Sequence, residues 1–207
     1  AKAFGISYID QNEKAQTPWQ NSWGVSTRLI GGTIMTHSDD KGLVLPTSLA
    51  PTQIIIIPIF KGENKNKIMK EVEKIKLELE EYKIKIDGRE EYSPGYKFNE
   101  YELIGIPLRI EFGERDLENN SVVLARRDTG EKQNIKIKEL KNKIKSELED
   151  MQNSLYKKAE KFLKSNIKEA STFEEMKKII DNKQMALVPF CGEIKCEDNI
   201  KDKTGGA

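Results

Sequence analysis

Residues 54–60 read Ile-Ile-Ile-Ile-Pro-Ile-Phe, a run with no polar side chain. A strand with one wet face alternates apolar and polar residues. A continuous apolar run instead needs cover on both faces, as in parallel or mixed sheets flanked by helices. The residues that follow supply that cover. Ile68, Val72, Ile75, Leu79 and Tyr82 recur at spacings of 4, 3, 4 and 3, which is one apolar face of a helix of about five turns. Ile84-Lys-Ile86 alternates like a strand. Ser93-Pro-Gly95 reads as a turn, with Pro fixing φ and Gly free to take positive φ, and residues 98–104 are predicted as a short helix. Leu108, Ile110 and Phe112 share one side of a strand, so Arg109 and Glu111 face out. Residues 122–125 form another strand, and Asp128-Thr-Gly130 is its turn. The order strand–helix–strand–helix–strand–strand predicts an α/β domain around a mixed sheet.

The flanks have a different texture. Residues 1–50 are rich in Gly, Ser, Thr and Trp and poor in Lys. A strand is expected at Phe4-Gly-Ile-Ser-Tyr-Ile9, then a turn over 10–14. In Trp23-Gly-Val-Ser-Thr-Arg28-Leu-Ile-Gly-Gly32 the glycines permit close backbone approach. His37, Asp39 and Asp40 sit in a polar stretch without regular ligand spacing, which reads as a solvated loop. Pro46 and Pro51 mark a junction. After Ile137 the residues Leu140, Ile144, Leu148, Met151, Leu155, Ala159 and Phe162 keep helical spacing. They predict a long helix that packs on a domain or a partner. Thr172-Phe-Glu-Glu175 is a capping box opening a second helix, and Ala186-Leu-Val188 reads as a strand. The predicted domains are 1–50, 51–135 and 136–207.

The 207 residues are 33% charged, with a net charge of +1. A nucleic-acid partner must therefore be met by a local patch. No apolar run approaches the roughly 20 residues of a membrane span, and neither end resembles a signal peptide, so a cytoplasmic protein without membrane contact is expected. Of 35 Lys+Arg, six are Arg: 28, 89, 109, 115, 126 and 127. Where Lys serves every solvated helix, Arg marks sites that need a planar fork of donors. Arg28 in its Gly-rich segment could grip a nucleotide phosphate, or could be a solvated residue of a packing motif. Arg109, Glu111, Arg115, Asp116, Arg126 and Arg127 could read base edges, beside the stacking rings Tyr92, Tyr96, Phe98 and Tyr101. They could equally be cross-strand ion pairs on a solvated sheet face. Cys191 and Cys196 supply half of a four-ligand zinc site, and no second pair follows; two spare thiols are the expected reading.

Taken in order, these segments resemble prolyl-tRNA synthetases of the archaeal/eukaryotic-like type, nearly end to end. Ser22-Trp-Gly-Val-Ser-Thr-Arg-Leu-Ile-Gly31 resembles motif 3 of a class II synthetase in its prolyl form. Tyr92-Ser-Pro-Gly-Tyr-Lys-Phe98, Gly105-Ile-Pro107, Arg109-Ile-Glu111, Gly113-Glu-Arg-Asp116 and Arg126-Arg-Asp-Thr-Gly-Glu131 resemble the anticodon-binding domain. Pro189-Phe-Cys-Gly-Glu-Ile-Lys-Cys196 resembles the start of the zinc-binding-type C-terminal domain. Ser38 and Thr47-Ser48 depart from the family pattern.

The resemblance implies a fold of three parts. A remnant of the antiparallel catalytic sheet comes first, then a mixed-sheet anticodon-binding domain with flanking helices, then a small α+β domain. It implies that Arg28 is the catalytic arginine, on the ATP γ-phosphate and adenine, with Ser26 and Thr27 beside the nucleotide. Ser22, Trp23 and Gly24 would border the proline pocket. Phe98, Glu102, Arg109, Arg115, Asp116 and Lys132 would read two adjacent guanines. Cys191 and Cys196 would be zinc ligands, with zinc in doubt because two thiols are too few. The implied partners are proline, ATP with Mg²⁺ and proline tRNA, in a homodimer. Motifs 1 and 2 are absent from these residues, so no synthetase activity is expected from them alone. The alternative is a stand-alone RNA-binding module without catalysis.

Overall fold

The computed structural model describes residues 1–60 and 62–205. The end of the Gly-Gly-Ala terminus, residues 206 and 207, lies outside the described residues. The chain divides into two compact units, Ala1–Thr33 and Ile34–Ala207.

In the first unit a short antiparallel pair, β1 (Tyr8–Ile9) and β2 (Ala15–Gln16), is closed by the Asp10 carboxylate, which accepts from the backbone of Asn12 and Lys14. The strand expected over 4–9 is therefore cut short. Lys2–Phe4 forms a 3-10 turn that ends at Gly5 with φ 65°. Helix α1 (Arg28–His37) begins in this unit and runs through Gly31 and Gly32 to His37. No residue of 1–33 is buried. Trp23 and Phe4 are 94% and 87% exposed.

The second unit holds a mixed sheet of order β4-β3-β5-β6-β7. Its elements are β3 (Ile54–Ile59), α2 (Lys65–Glu78), β4 (Ile84–Ile86), α3 (Pro94–Leu103), β5 (Leu108–Gly113), α4 (Glu114–Asn119), β6 (Ser121–Arg126), β7 (Lys132–Lys136) and α5 (Ile137–Asn166). Strand β3 is parallel to β4 and β5, while β5, β6 and β7 are antiparallel. The four isoleucines divide between two layers. Ile54 and Ile56 join Leu108, Ile110, Phe112, Val122 and Leu124 against α2 and the first half of α5. Ile55 and Ile57 pack on the other face with Tyr101 and Ile106, next to Phe98. Both faces are dry, as the run requires.

Three local readings change. Residues 93–95 are a helix start, not a free turn: Ser93 Oγ accepts from Tyr96 N at 3.3 Å and Pro94 takes the first helical position. Helix α4 is too short for a periodic signal, and β7 buries only Ile135, so neither announces itself. The face carrying Arg109 and Glu111 is covered by α3 instead of solvated. Glu111 is 8% exposed.

Beyond the sheet, β8 (Ile167–Glu169) pairs in parallel with β9 (Met185–Leu187) across α6 (Phe173–Asp181), and α7 (Ile194–Thr204) follows. The capping box is formed, with Thr172 Oγ1 accepting from Glu175 N and Glu175 accepting from Thr172 N. No described helix is long and apolar enough to cross a membrane.

Candidate nucleic-acid interface

Strand β5 turns Arg109 and Glu111 to the α3 side of the sheet, and β7 brings Lys132 across β6 to the same side. Glu111 ties the two cations together. Arg109 Nε donates to Glu111 Oε1 at 3.0 Å and Lys132 Nζ lies 2.8 Å from the same oxygen. From α3, Phe98 presents its ring to both, with Arg109 Cζ 4.3 Å and Lys132 Nζ 5.1 Å from the centroid. The ring quadrupole attracts such cations by about 0.5–1 kcal/mol where they are exposed and by about 2 kcal/mol where they are desolvated. One turn further on, Glu102 faces Lys41 Nζ at 3.4 Å. Lys41, Tyr101, Glu102, Arg109, Arg127 and Lys132 line a cleft of about 180 Å³.

The cleft offers what a splayed base needs: an aromatic ring, forked and ammonium donors for ring acceptors, and a carboxylate for amino or imino hydrogens. The structure brings Phe98, Glu102, Arg109 and Lys132 together. Arg115 and Asp116 do not line this cleft. They begin α4, beyond the far end of β5, with about 13 Å of strand between Arg109 and Gly113. Asp116 Oδ2 accepts from Gly113 N at 2.9 Å and so caps that helix.

Arg126, Arg127 and Arg89 grip carboxylates within the chain. Arg126 binds Asp128 at 2.8 Å and reaches Glu147 and Asp150 of α5 at 2.6 Å each. Arg127 closes on Asp39 with both terminal nitrogens, at 2.9 and 2.6 Å. Arg89 chelates Asp87 and pairs with Glu100. Asp39 was the least visible of these partners: 88 residues separate it from Arg127, and its own loop gives no hint of the clasp.

In the first unit Ser22, Trp23, Gly24, Ser26, Thr27 and Arg28 are exposed along one segment that leads into α1. Ser26 Oγ accepts from Arg28 N at 3.4 Å. Arg28 forms no ion pair with a described residue. Cys191 and Cys196 are free thiols. The Cys191 thiol is pulled down by a hydrogen bond from the Glu193 backbone and by its bond with Cys196, which in turn pushes Cys196 up. Among the described residues no three His, Cys, Asp or Glu side chains are grouped to hold a metal ion.

The segment that builds this sheet is an anticodon-binding domain: the family model "Anticodon binding domain" matches residues 53–147. The chain belongs to the prolyl-tRNA synthetase family, whose C-terminal model matches residues 173–207. It is 42% identical over 206 residues to a proline–tRNA ligase of Natranaerobius thermophilus, and 44% identical over 207 residues to proline–tRNA ligase 2 of Bacillus thuringiensis. These alignments cover 99% of this chain and 43% of each relative. The chain thus spans less than half the length of the curated relatives it matches. The crystal structure of prolyl-tRNA synthetase from Cryptosporidium parvum, complexed with L-proline and AMP, superimposes with a TM-score of 0.86 at 42% identity. That match covers 99% of this chain and 44% of the other.

Proposed function

We propose that this chain is the tRNA-recognising part of a proline–tRNA ligase and that its cleft reads two adjacent guanines of an RNA loop. The observation that carries the proposal is the convergence of Phe98, Glu102, Arg109 and Lys132 from two strands and a helix. A guanine offers O6 and N7 to Arg109 or Lys132, and its N1–H and N2–H₂ to the Glu102 carboxylate, while Phe98 supports the stack. Arg115 and Asp116, past the carboxyl end of β5, would meet the same strand outside the cleft.

In this reading residues 1–50 close a class II catalytic core, 51–135 form the anticodon-binding domain, and 136–207 carry the long helix and a small α+β domain. Arg28 is exposed and free of ion pairs among the described residues, which fits an anionic phosphate. It would hold ATP, with Ser26 and Thr27 beside it. Ser22, Trp23 and Gly24 would border the proline. ATP, with Mg²⁺, supplies the adenylyl group that activates the proline carboxylate. The part of Arg28 is to hold negative charge in place as it shifts. Two thiols without further ligands do not make a tetrahedral zinc site, and no step is assigned to zinc. The whole protein would act as a cytoplasmic homodimer on proline, ATP and proline tRNA.

The test is a titration with an RNA stem-loop carrying two adjacent guanines and with one lacking them. The parent chain is expected to prefer the first. Arg109→Ala is expected to lose about 1–3 kcal/mol of binding and most of the preference. Equal binding of both loops by the parent chain would overturn the reading.

A further inference from the structure

The turn after α1 forms one wall of the cleft. Asp39 and Gly42 exchange backbone hydrogen bonds at 3.1 Å, and Asp39 Oδ1 accepts from Lys41 N at 2.9 Å. Arg127, whose side chain is 3% exposed, clasps the same carboxylate. Its Nε donates to Glu102 O at 2.7 Å. Leu43 N donates to Leu103 O at 2.9 Å. Turn and helix end interlock so closely that a Cβ on Gly42 would collide with the Leu103 carbonyl oxygen, and one on Gly105 would come within 2.6 Å of Leu43 O. The Arg127 guanidinium beside Asp39 holds that carboxyl at about 2, so the clasp stays charged at any working pH.

The clasp aims Lys41 across the mouth of the cleft. Its ammonium reaches Glu102 while the side chain stays 69% exposed. The Glu102 side chain is 26% exposed, so water screens the pair mainly at its ammonium end, and a ligand group that replaces Lys41 at the carboxylate frees that ammonium.

We propose that Lys41 is a further RNA-binding residue of this cleft. When a base takes the Glu102 carboxylate, the freed Lys41 ammonium passes to a phosphate of the same strand, and Asp39 and Arg127 are the positioning pair that aims it. This rests on the cleft being the RNA site. It adds a phosphate ligand from the turn that follows α1, outside the segment 53–147 that matches the anticodon-binding family.

The experiment measures affinity for the two-guanine stem-loop against salt concentration. Each lysine that neutralises a phosphate of single-stranded RNA steepens the slope of log K against log salt by about 0.7, so its removal flattens the slope by that amount. Lys41→Ala is expected to weaken binding severalfold and to flatten the slope accordingly, and Lys41→Arg to restore both. Asp39→Asn, which opens the clasp but keeps Lys41, should shift the slope the same way. The control Lys67→Ala, on α2 across the sheet, should keep the parent slope. An unchanged slope or tighter binding in Lys41→Ala would overturn the proposal, since that lysine would then only compete for Glu102. A parent-like slope in a folded Asp39→Asn overturns the positioning role. If Arg109→Ala is weakened while Lys41→Ala is not, only this inference fails. If Arg109→Ala also binds like the parent, the cleft itself is misassigned and the inference falls with it.

Discussion

Asp87 is the residue on which the α3 layer hangs. It is 3% exposed, and it accepts from Arg89 Nε at 2.9 Å, Arg89 Nη2 at 2.8 Å and Tyr101 Oη at 3.1 Å. Lys97, equally buried, donates to the Asp87 carbonyl at 3.2 Å and also to the Arg89 carbonyl. Burial pushes the Asp87 carboxyl up. The Arg89 hydrogen bonds, the Lys97 charge and the Tyr101 hydroxyl outweigh burial and hold it at about 2. A carboxyl lowered on folding stabilises above its unfolded value near 3.9, and that contribution is lost as pH falls through 2. Urea midpoints should therefore hold steady above about pH 5 and drop between about pH 4 and pH 2. Asp87→Ala should cost about 3–5 kcal/mol in the same assay at neutral pH, because Lys97 stays buried without its counter-charge. A loss under about 1 kcal/mol, in the range of an exposed pair, would show that the network is ornamental. None of this was legible around Arg89. Asp87 is a near neighbour in sequence with nothing to mark it as buried, and Glu100, Tyr101 and Lys97 reach the site only because α3 packs back against β3.

At the scale of elements, α3 decides whether the cleft exists, since it carries Tyr101 and Glu102, which line it, and Phe98, whose ring holds Arg109 and Lys132. Its start is a side-chain cap and its end is a tight turn at Gly105 with φ 76°. Ser93→Ala should cost about 1 kcal/mol, read from chemical denaturation. Gly105→Ala should cost more, because the turn needs positive φ and the added Cβ meets the Leu43 backbone. Helix α5 serves two clusters. Leu140, Ile144 and Leu148 close the sheet core, and Met151 and Leu155 pack with Val44. Ile144→Ala, at a fully buried position, should destabilise by about 2–5 kcal/mol. The long periodic helices α2 and α5 and the apolar strands could be read from residue order, because burial on one face imposes a repeat. Helix α4 and strand β7 could not. One is a single capped turn and a half, and the other is an edge strand whose polar residues carry no alternation.

At the scale of the molecule the two units differ in kind. The second has a continuous two-layer core, and the first has no buried residue. Amide exchange should be slowest in Ile54–Ile59 and Leu108–Gly113, and fast through most of 1–33. Comparable protection in the two would contradict this distribution of packing. Because motifs 1 and 2 are absent from them, these 207 residues should give no proline-dependent exchange between ATP and pyrophosphate, and a signal above background would sink that expectation.

Residue order alone determined the class of the sheet domain, a mixed sheet covered by helices. A run of isoleucines cannot be left wet, and the helices that cover it must show a 3/4 repeat. It also singled out a small set of arginines as special. Only tertiary structure decided what those arginines do. A guanidinium takes whichever carboxylate, ring or phosphate is brought to it, and that is a matter of distance in space. Arg126, Arg127 and Arg89 are each spent on two or more carboxylates or on a clasp distant in sequence, while Arg109, bonded to Glu111, is left over a ring at the edge of a cleft. The same packing moved Arg115 and Asp116 away from that cleft and brought Lys41 to it, because strand length separates the first pair and an interlocked turn delivers the second.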